Sequence, residues 1–262
     1  MRYLFSAFLS CFFVFVSLAQ KLPDTQRESI KPVSLPKIDG KNTEWGSFSA
    51  FNKRTSIFYT IANDAKYIYL ALQIEHNETI TKALAGGITL AINTQAKKKE
   101  DESIQITFPN ISRAAGQNRQ RMGQGIRTEQ SAVQRDSLQK AQRKTQLLAA
   151  KEIGVKGIKS ITDSLISIYN EYGIKASAKI DDSGNYFYEM ALPLSLLELP
   201  ANHALELVYQ IKLNGRTGQG GMNFRGGGNN FGANRGGGFG AGVNQQDLWT
   251  PTFFWGKYLL NK

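Results

Sequence analysis

A strictly alternating stretch of hydrophobic residues, Tyr67–Ile74, constrains the fold of this chain more than any other feature. Its sequence, YIYLALQI, has isoleucine or leucine at every second position. Because successive side chains of a strand point to opposite faces, this pattern predicts a strand with one buried face. The apolar segment 56–61 precedes it, and Asn63-Asp64 between the two is typical of a turn. The simplest local fold is therefore an antiparallel hairpin.

Similar alternation recurs further along the chain and predicts more strands. It is found in segments 88–92, 104–108, 174–180, 186–192 and 205–213. We therefore predict a mainly β fold, an antiparallel β-sandwich of the immunoglobulin or jelly-roll type, with one or two helices in insertions. The sandwich is expected to form a single domain over residues 35–262.

Two short segments within this domain have helical patterns. Pro193 is suited to the start of a helical turn over residues 193–197, because its φ angle already fits a helix. Between residues 158 and 172, apolar side chains recur at steps of three and four and are followed by Gly173. This spacing predicts an amphipathic helix that ends at the glycine and packs against the sandwich.

Two segments of different composition interrupt the β pattern. Residues 110–152 are rich in lysine, arginine and glutamine, and their second half contains many helix formers, which predicts a polar, partly helical insertion. Residues 215–242 contain 13 glycines with interspersed arginine and phenylalanine, which predicts a flexible loop. The functional alternatives are a cationic arm that contacts an anionic or membrane surface, and an Arg-Gly-Gly nucleic-acid segment. Export makes a nucleic-acid partner the less favoured hypothesis.

The N-terminus predicts export. Residues 1–19 combine Arg2, an apolar core and small residues before Gln20, as in a signal peptide that is cleaved near Ala19-Gln20. The mature protein would then be periplasmic, cell-surface or extracellular, and its residues 20–34 would form an extended lead-in. The only cysteine lies within the predicted signal, and the two histidines are not spaced as a ligand pair. A mature disulfide, a thiolate nucleophile and a zinc or haem centre are therefore not expected.

Several short motifs resemble a known family. Ile38-Asp39-Gly40, then Glu44-Trp45, then the strand Tyr67–Ile74 follow each other in order, and Tyr188-Glu189-Met190-Ala191-Leu192-Pro193 comes later. This order resembles family 9 carbohydrate-binding modules and the wider DOMON-like β-sandwich group. The resemblance covers roughly residues 35–108 and 153–214, with a weaker part from 247. It implies a non-catalytic sandwich whose ligand is a glycan or polysaccharide.

Aromatic residues near the C-terminus are the candidate ligand-binding residues. Residues 247–258 contain several aromatic side chains, of which some must be buried in a final strand. Aromatic faces stack on the apolar faces of pyranose rings, and the family that the chain resembles binds sugars through paired tryptophans. We therefore expect Trp249, Trp255 and Tyr258 to line a sugar site. Trp45 is interpreted as a core residue, with a sugar platform as the alternative.

Neither catalysis nor a cofactor is expected from the motifs. A glycosidase needs two carboxylates across a cleft, and no such pair can be identified from the sequence. Glu189 with Asp39 or Asp64 could hold a structural calcium ion, since that metal prefers oxygen ligands. Ordinary hydrogen bonding of these carboxylates is the alternative.

Two functions therefore remain open at the level of sequence. The first is an exported protein that binds glycan at the cell envelope. The second is an envelope structural or interaction protein that contacts a protein or an anionic surface, to which the net charge of +11 would contribute. An exposed pair at Trp249 and Trp255 with polar neighbours would favour the first. A buried pair with a broad apolar patch elsewhere would favour the second.

Overall fold

The computed structural model of the chain describes residues 21–32, 34–111, 132–199, 206–215 and 245–260. The predicted signal peptide lies outside the described residues. So do residues 112–131 of the predicted insertion and residues 216–244, which include nearly all of the glycine-rich loop.

The described residues form eleven strands, three α-helices and a 3₁₀ turn. The strands are β1 (Ala50–Asn52), β2 (Ile57–Asn63), β3 (Tyr67–Ile74), β4 (Ile88–Asn93), β5 (Ile104–Asn110), β6 (Glu152–Lys156), β7 (Leu165–Ser167), β8 (Lys175–Ile180), β9 (Tyr186–Pro193), β10 (Glu206–Leu213) and β11 (Thr252–Leu259). The helices are α1 (Asn77–Gly86), α2 (Ala132–Leu148) and α3 (Gln245–Trp249), and the 3₁₀ turn is Leu194–Leu197.

The strands form two antiparallel sheets. The five-stranded sheet has the order β1-β2-β3-β9-β8, and the six-stranded sheet has the order β11-β10-β4-β5-β6-β7. Each sheet contributes alternate residues to one shared hydrophobic core. The predicted fold class, a mainly β antiparallel sandwich, is confirmed.

The hairpin predicted from the alternating stretch is present. β2 pairs with β3 around Asn63-Asp64, and β3 then pairs with β9. The alternating residues Ile68, Leu70, Leu72 and Ile74 are at most 3% exposed and belong to the shared core. Burying each such side chain stabilises the fold by roughly 1.5–3 kcal/mol, so register errors in this strand are strongly disfavoured.

The core also contains buried tyrosines whose hydroxyl groups join the two sheets. The Tyr59 and Tyr209 hydroxyl oxygens lie 2.8 Å apart. The backbone N–H of Gln26 donates to Tyr59 Oη at 2.9 Å, and Tyr209 Oη donates to the carbonyl of Gln26 at 3.0 Å. The side-chain amide of Gln26 also exchanges hydrogen bonds with the backbone of Ile61. The lead-in segment is therefore bound to the sandwich although it forms no helix or strand.

The amphipathic helix predicted between residues 158 and 172 is wrong. The segment instead contains β7, which pairs with β6 as a hairpin. Gly157 adopts a φ of 83°, in the left-handed region that favours glycine, and it begins the connection between the two strands. Ile158 and Ile161 lie on this connection and both point into the core. Their helix-like spacing therefore arises from two inward-facing residues of a loop, so Gly173 is not a helix cap.

The helices lie at the periphery of the sandwich. The predicted helical half of the insertion is confirmed as α2, and the predicted turn after Pro193 is confirmed as the 3₁₀ turn. Arg143 on α2 is only 5% exposed and donates to the side chain and carbonyl of Asn77 and to Thr81, which connects α2 with α1. Among the described residues, no helix is long and apolar enough to cross a membrane.

Candidate functional site

Tyr258 is the most deeply buried of the three aromatic residues that were predicted to line a ligand site. Its side chain is 0% exposed, and its hydroxyl donates to Asn63 Oδ1 at 3.0 Å. The backbone N–H of Ile30 in the lead-in donates to the same hydroxyl at 3.4 Å. The ring of Tyr258 therefore belongs to the core and offers no face to a ligand.

The two predicted tryptophans lie on different elements. Trp249 ends α3, close to the start of β11, and is 48% exposed. Trp255 lies in the middle of β11 opposite Gln210 of β10, and it is partly exposed. Because its neighbours Phe254 and Tyr258 point into the core, Trp255 points to the other side of the sheet.

The strand pairing sets the side chains around Trp255 in two parallel rows, which we call the outer face of the six-stranded sheet. The first row crosses five strands and consists of Trp255, Gln210, Ala91, Gln105 and Lys156. The second row consists of Phe253, Lys212, Thr89, Thr107 and Gly154. Along each strand the two rows are two residues, or about 7 Å, apart.

Gln210 is the unusual member of the outer face. Its side chain is 1% exposed, yet its Oε1 has no hydrogen-bond partner. Nearby hydroxyl groups on the same face are paired, since the Thr89 and Thr107 oxygens lie 2.7 Å apart and Asn214 donates to Thr89 at 2.8 Å. A buried acceptor without a donor costs about 1–3 kcal/mol, so native structures rarely leave one unused. Similar unpartnered oxygens are found in the described part of the chain at Asp39, Tyr186 and Tyr188. Gln210 Oε1 is itself covered, so a ligand hydroxyl could reach it only after the groups above it move.

The loop between β4 and β5, residues 94–103, borders the outer face. Asn93 Oδ1 accepts hydrogen bonds from the backbone N–H groups of Gln95 and Lys97, both at 3.0 Å, which fixes the start of the loop. Gln105 in the first row donates from Nε2 to the carbonyl of Glu100 at 2.9 Å. Lys212 in the second row forms an ion pair with the Glu100 carboxylate. The loop is thus attached to both rows.

Phe253 lies at the aromatic end of the second row and is paired in register with Lys212. The guanidinium carbon of Arg54, from the turn between β1 and β2, lies 5.4 Å from the centre of the Phe253 ring. This is the distance of a cation–π contact. The outer face therefore combines two adjacent aromatic rings with amide and cationic groups.

Glu189 lies on the opposite sheet and binds the segment that contains the Asp39-Gly40 and Trp45 motifs. Its Oε2 accepts from the backbone N–H groups of Asp39 and Gly40 at 3.0 and 2.6 Å, and its Oε1 accepts from Trp45 Nε1 at 2.6 Å. Burial raises the pKa of Glu189, and these three donors partly oppose that effect. The Trp45 ring also packs edge-on against Tyr69. The contacts of Trp45 agree with its interpretation as a structural residue.

Asp64, the third calcium candidate, has a separate set of partners. Its side chain accepts from Tyr69 Oη and from the backbone N–H groups of Lys66 and Tyr67, each at 2.7 Å. Desolvation opposes these donors, but the net result is a lowered pKa of Asp64. The structure thus brings Asp39 and Glu189 together. Asp64 instead stabilises the turn between β2 and β3. Within the described residues, no three His, Cys, Asp or Glu side chains form a group that could hold a metal ion. The calcium site stays a prediction.

No protein-family model matches the chain, and no curated protein matches it.

The outer face includes residues that the sequence analysis did not select. Gln210 and Lys212 lie within a strand that was predicted correctly. Alternation alone shows that the Gln210 side chain points outward, but it does not show whether its oxygen has a hydrogen-bond partner. Phe253 was recognised only as part of an aromatic cluster. Alternation alone places Trp255 and Phe254 on opposite faces, but which of the two points into the core follows only from the packing of β11 in the sandwich.

Proposed function

We propose that this protein is an exported, non-catalytic glycan-binding protein of the cell envelope, and that it binds glycan on the outer face of the six-stranded sheet. In this proposal Trp255 stacks on a sugar ring, and the groups that cover Gln210 move so that its side chain accepts a hydrogen bond from a hydroxyl group of the same sugar. The resemblance to family 9 modules supports the ligand class by analogy, since a fold by itself does not define a function.

The observation that carries the proposal is the unpartnered Oε1 of Gln210 directly opposite Trp255 in the strand pairing. A pyranose has an apolar ring face and a rim of hydroxyl groups. It therefore needs an aromatic surface and polar groups at the edge of that surface. Neighbouring strands lie about 5 Å apart, which is within the span of one sugar ring and its hydroxyl groups.

The carboxylates near the outer face are paired with lysines, which supports binding of a glycan and not its hydrolysis. Glu100 and Glu206 flank the rows of the outer face, and each forms an ion pair with a lysine, Lys212 and Lys257 respectively. A glycosidase needs one carboxylate as an acid and a second as a base or nucleophile on either side of the scissile bond. In the free protein both carboxylates are engaged by a lysine, which does not favour an acid and base pair on this face.

The exposure of the predicted tryptophans also favours glycan binding over a protein interface. Trp249 is 48% exposed, and Trp255 is partly exposed with Gln210 beside it. The arrangement expected from the sequence was an exposed pair with polar neighbours; the two tryptophans instead lie on different elements, so they support separate contacts and not one paired platform. Trp249 lies at one end of β11 and is therefore a candidate for a second contact with a longer oligosaccharide.

Tryptophan fluorescence of the purified protein, titrated with neutral and acidic oligosaccharides, tests the proposal. We expect a saturable change with one glycan class, weakened roughly two- to tenfold in Trp255→Ala because one aromatic contact is worth about 0.5–1.5 kcal/mol. Trp249→Ala tests the second contact. Tyr169→Ala is the matched control, since Tyr169 is an aromatic residue that is 81% exposed and follows β7 at the other edge of the sheet.

Two results would contradict the proposal. The first is the absence of any response across the whole panel, which would move the search to protein partners. The second is binding that Trp255→Ala leaves unchanged, which would place the ligand away from the outer face.

A further inference from the structure

Lys212 is a largely buried cation on the outer face, and its partner comes from a loop. Its side chain is 16% exposed and pairs with Glu100, whose side chain is 32% exposed. Lys212 lies two residues from Gln210 on the same face of β10, and Phe253 is its neighbour on β11. The ion pair therefore occupies the position next to the proposed sugar contact.

The loop that carries Glu100 is also held by contacts that do not involve its carboxylate. The carbonyl of Glu100 accepts hydrogen bonds from the Gln105 side chain at 2.9 Å and from the backbone N–H of Ser103 at 3.1 Å. Ser103 Oγ in turn donates to the carbonyl of Lys99 at 2.5 Å. The Glu100 side chain can therefore leave Lys212 while the backbone contacts of the loop persist.

Arg54 adds a second cation beside Phe253. Its guanidinium lies over the ring of Phe253, and no carboxylate in the described part of the chain forms a salt bridge with it. Once Glu100 is displaced, Lys212, which is paired in register with Phe253, and Arg54, which lies over its ring, would attract an anionic group. A neutral sugar would leave the charge of both cations uncompensated by the ligand.

We propose that the ligand of the outer face is an acidic glycan, whose sugar carboxylate replaces that of Glu100 at Lys212. This inference rests on the proposed function and names the substrate class of the same site. In the free protein Glu100 occupies the carboxylate position, so the buried cation is not left without a counter-charge. On binding, one carboxylate exchanges for another, and no covalent bond is made or broken.

The carboxylate already present at Lys212 favours a uronic acid over a sulfated or phosphorylated sugar. A uronate offers the same planar pair of oxygen atoms that Glu100 offers. It also retains the ring face for Trp255 and the hydroxyl groups for Gln210. Sulfated oligosaccharides share the negative charge but not this shape, so they serve as a separate arm of the test.

The test compares oligogalacturonate with its methyl ester and with a sulfated oligosaccharide of equal length, by isothermal titration calorimetry. The methyl ester keeps the rings and hydroxyl groups but removes the charge. For the wild-type protein we expect the acid to bind about threefold more tightly than the ester, because the sugar carboxylate replaces that of Glu100 at Lys212 and adds only the attraction of Arg54. The affinity for the acid should fall with added salt, while that for the ester should not.

Glu100→Gln is the diagnostic variant, because it frees Lys212 and retains the backbone contacts of the loop. It should strengthen binding of the acid about three- to fivefold, as expected when a competing, partly exposed ion pair is removed, and leave the ester unchanged. Glu206→Gln is the matched control. Glu206 lies on β10, and its replacement makes the same charge change as Glu100→Gln. It frees Lys257 instead of Lys212, and the Lys257 side chain is 53% exposed. Lys212→Gln should weaken binding of the acid about tenfold.

The possible outcomes separate this inference from the proposed function. Equal affinity for acid and ester, a preference for the sulfated sugar, or equal effects of Glu100→Gln and Glu206→Gln would overturn the inference and leave glycan binding intact. If none of these probes and no neutral oligosaccharide binds, the proposed function itself fails. A selective gain for the acid in Glu100→Gln supports both.

Discussion

Replacing Glu189 by alanine should destabilise the protein strongly, because one carboxylate holds a whole N-terminal segment on the five-stranded sheet. Glu189 is 0% exposed and accepts hydrogen bonds from the Asp39 and Gly40 backbone and from the Trp45 indole. These partners lie up to 150 residues away in sequence. Loss of the carboxylate would therefore leave three donors without an acceptor. The segment that contains Asp39, Gly40 and Trp45 would then be detached from β9.

The magnitude follows from those three bonds. Each donor left unsatisfied in a buried position costs about 1–3 kcal/mol, but water can enter the space that the side chain vacates and satisfy some of them. We therefore expect the free energy of unfolding to fall by about 3 kcal/mol in Glu189→Ala. For a domain of this size, that corresponds to a melting temperature lower by roughly 6–12 °C.

Urea unfolding followed by tryptophan fluorescence measures this effect, with Glu206→Ala as the control. Glu206 forms a partly exposed ion pair with Lys257, so its replacement should cost about 0.5 kcal/mol or less. In the Glu189→Ala background, Trp45→Phe should cost less than in the wild-type protein, because the indole has already lost its acceptor. A Glu189→Ala protein within about 0.5 kcal/mol of wild type would refute the reasoning, since such values are typical of surface changes.

The difference in stability between the wild-type protein and Glu189→Ala should also depend on pH. Burial raises the pKa of Glu189 in the folded protein above its ordinary value. A raised folded-state pKa contributes stability that is complete below the ordinary pKa and is lost as the pH rises through the folded-state value. The stability advantage of wild type over Glu189→Ala should therefore shrink from about pH 4 towards pH 7. An advantage that grows over this range would contradict the stated pKa direction.

Three further predictions concern the core and the helices. Gly256→Ala should cost about 1–3 kcal/mol in urea unfolding, because an added Cβ would overlap the ring carbon and hydroxyl of Tyr209. Burial raises the pKa of Tyr59 and of Tyr258 to about 12, so stability should be complete below about pH 10 and be lost towards pH 12, as followed by urea unfolding across that range. Arg143→Met should speed hydrogen exchange within α2, because Arg143 supplies the hydrogen bonds from α2 to α1.

Each of these predictions has a result that would count against it. A Gly256→Ala protein as stable as wild type would mean that the Tyr209 ring can move without losing its hydrogen bonds. Titration of all tyrosines near pH 10 would contradict their burial. Arg135, an exposed arginine on the same helix, provides the control Arg135→Met, and equal exchange in both variants would remove the role assigned to Arg143.

The strands could be predicted from sequence because the hydrophobic pattern and the fold agree there. β3 alternates isoleucine or leucine with other residues, and the shared core takes one face of it. Where the hydrophobic pattern and the fold disagree, the predicted secondary structure was wrong. Ile158 and Ile161 have helical spacing, but they reach the core from a loop, which spacing cannot reveal. α1 was missed although Ile80, Ala83 and Leu84 are buried at helical spacing, because the stretch is short and lies between two strands.

The site was less predictable than the fold because it depends on pairing across the sheet. Trp255 was selected for its chemistry, and it does lie on the outer face, but Tyr258 was selected by the same criterion and is a core residue. Three positions along one strand separate an outward from an inward side chain, and sequence alone does not give the reference point. Gln210 becomes notable only when its unpartnered oxygen is seen opposite Trp255.

A crystal structure of the protein with a bound oligosaccharide tests the central claim most directly. The account predicts a sugar ring stacked on Trp255, with one hydroxyl group within hydrogen-bond distance of Gln210 Oε1. A glycan bound elsewhere, with the Gln210 oxygen still unpartnered, would contradict the assignment of the outer face as the binding site.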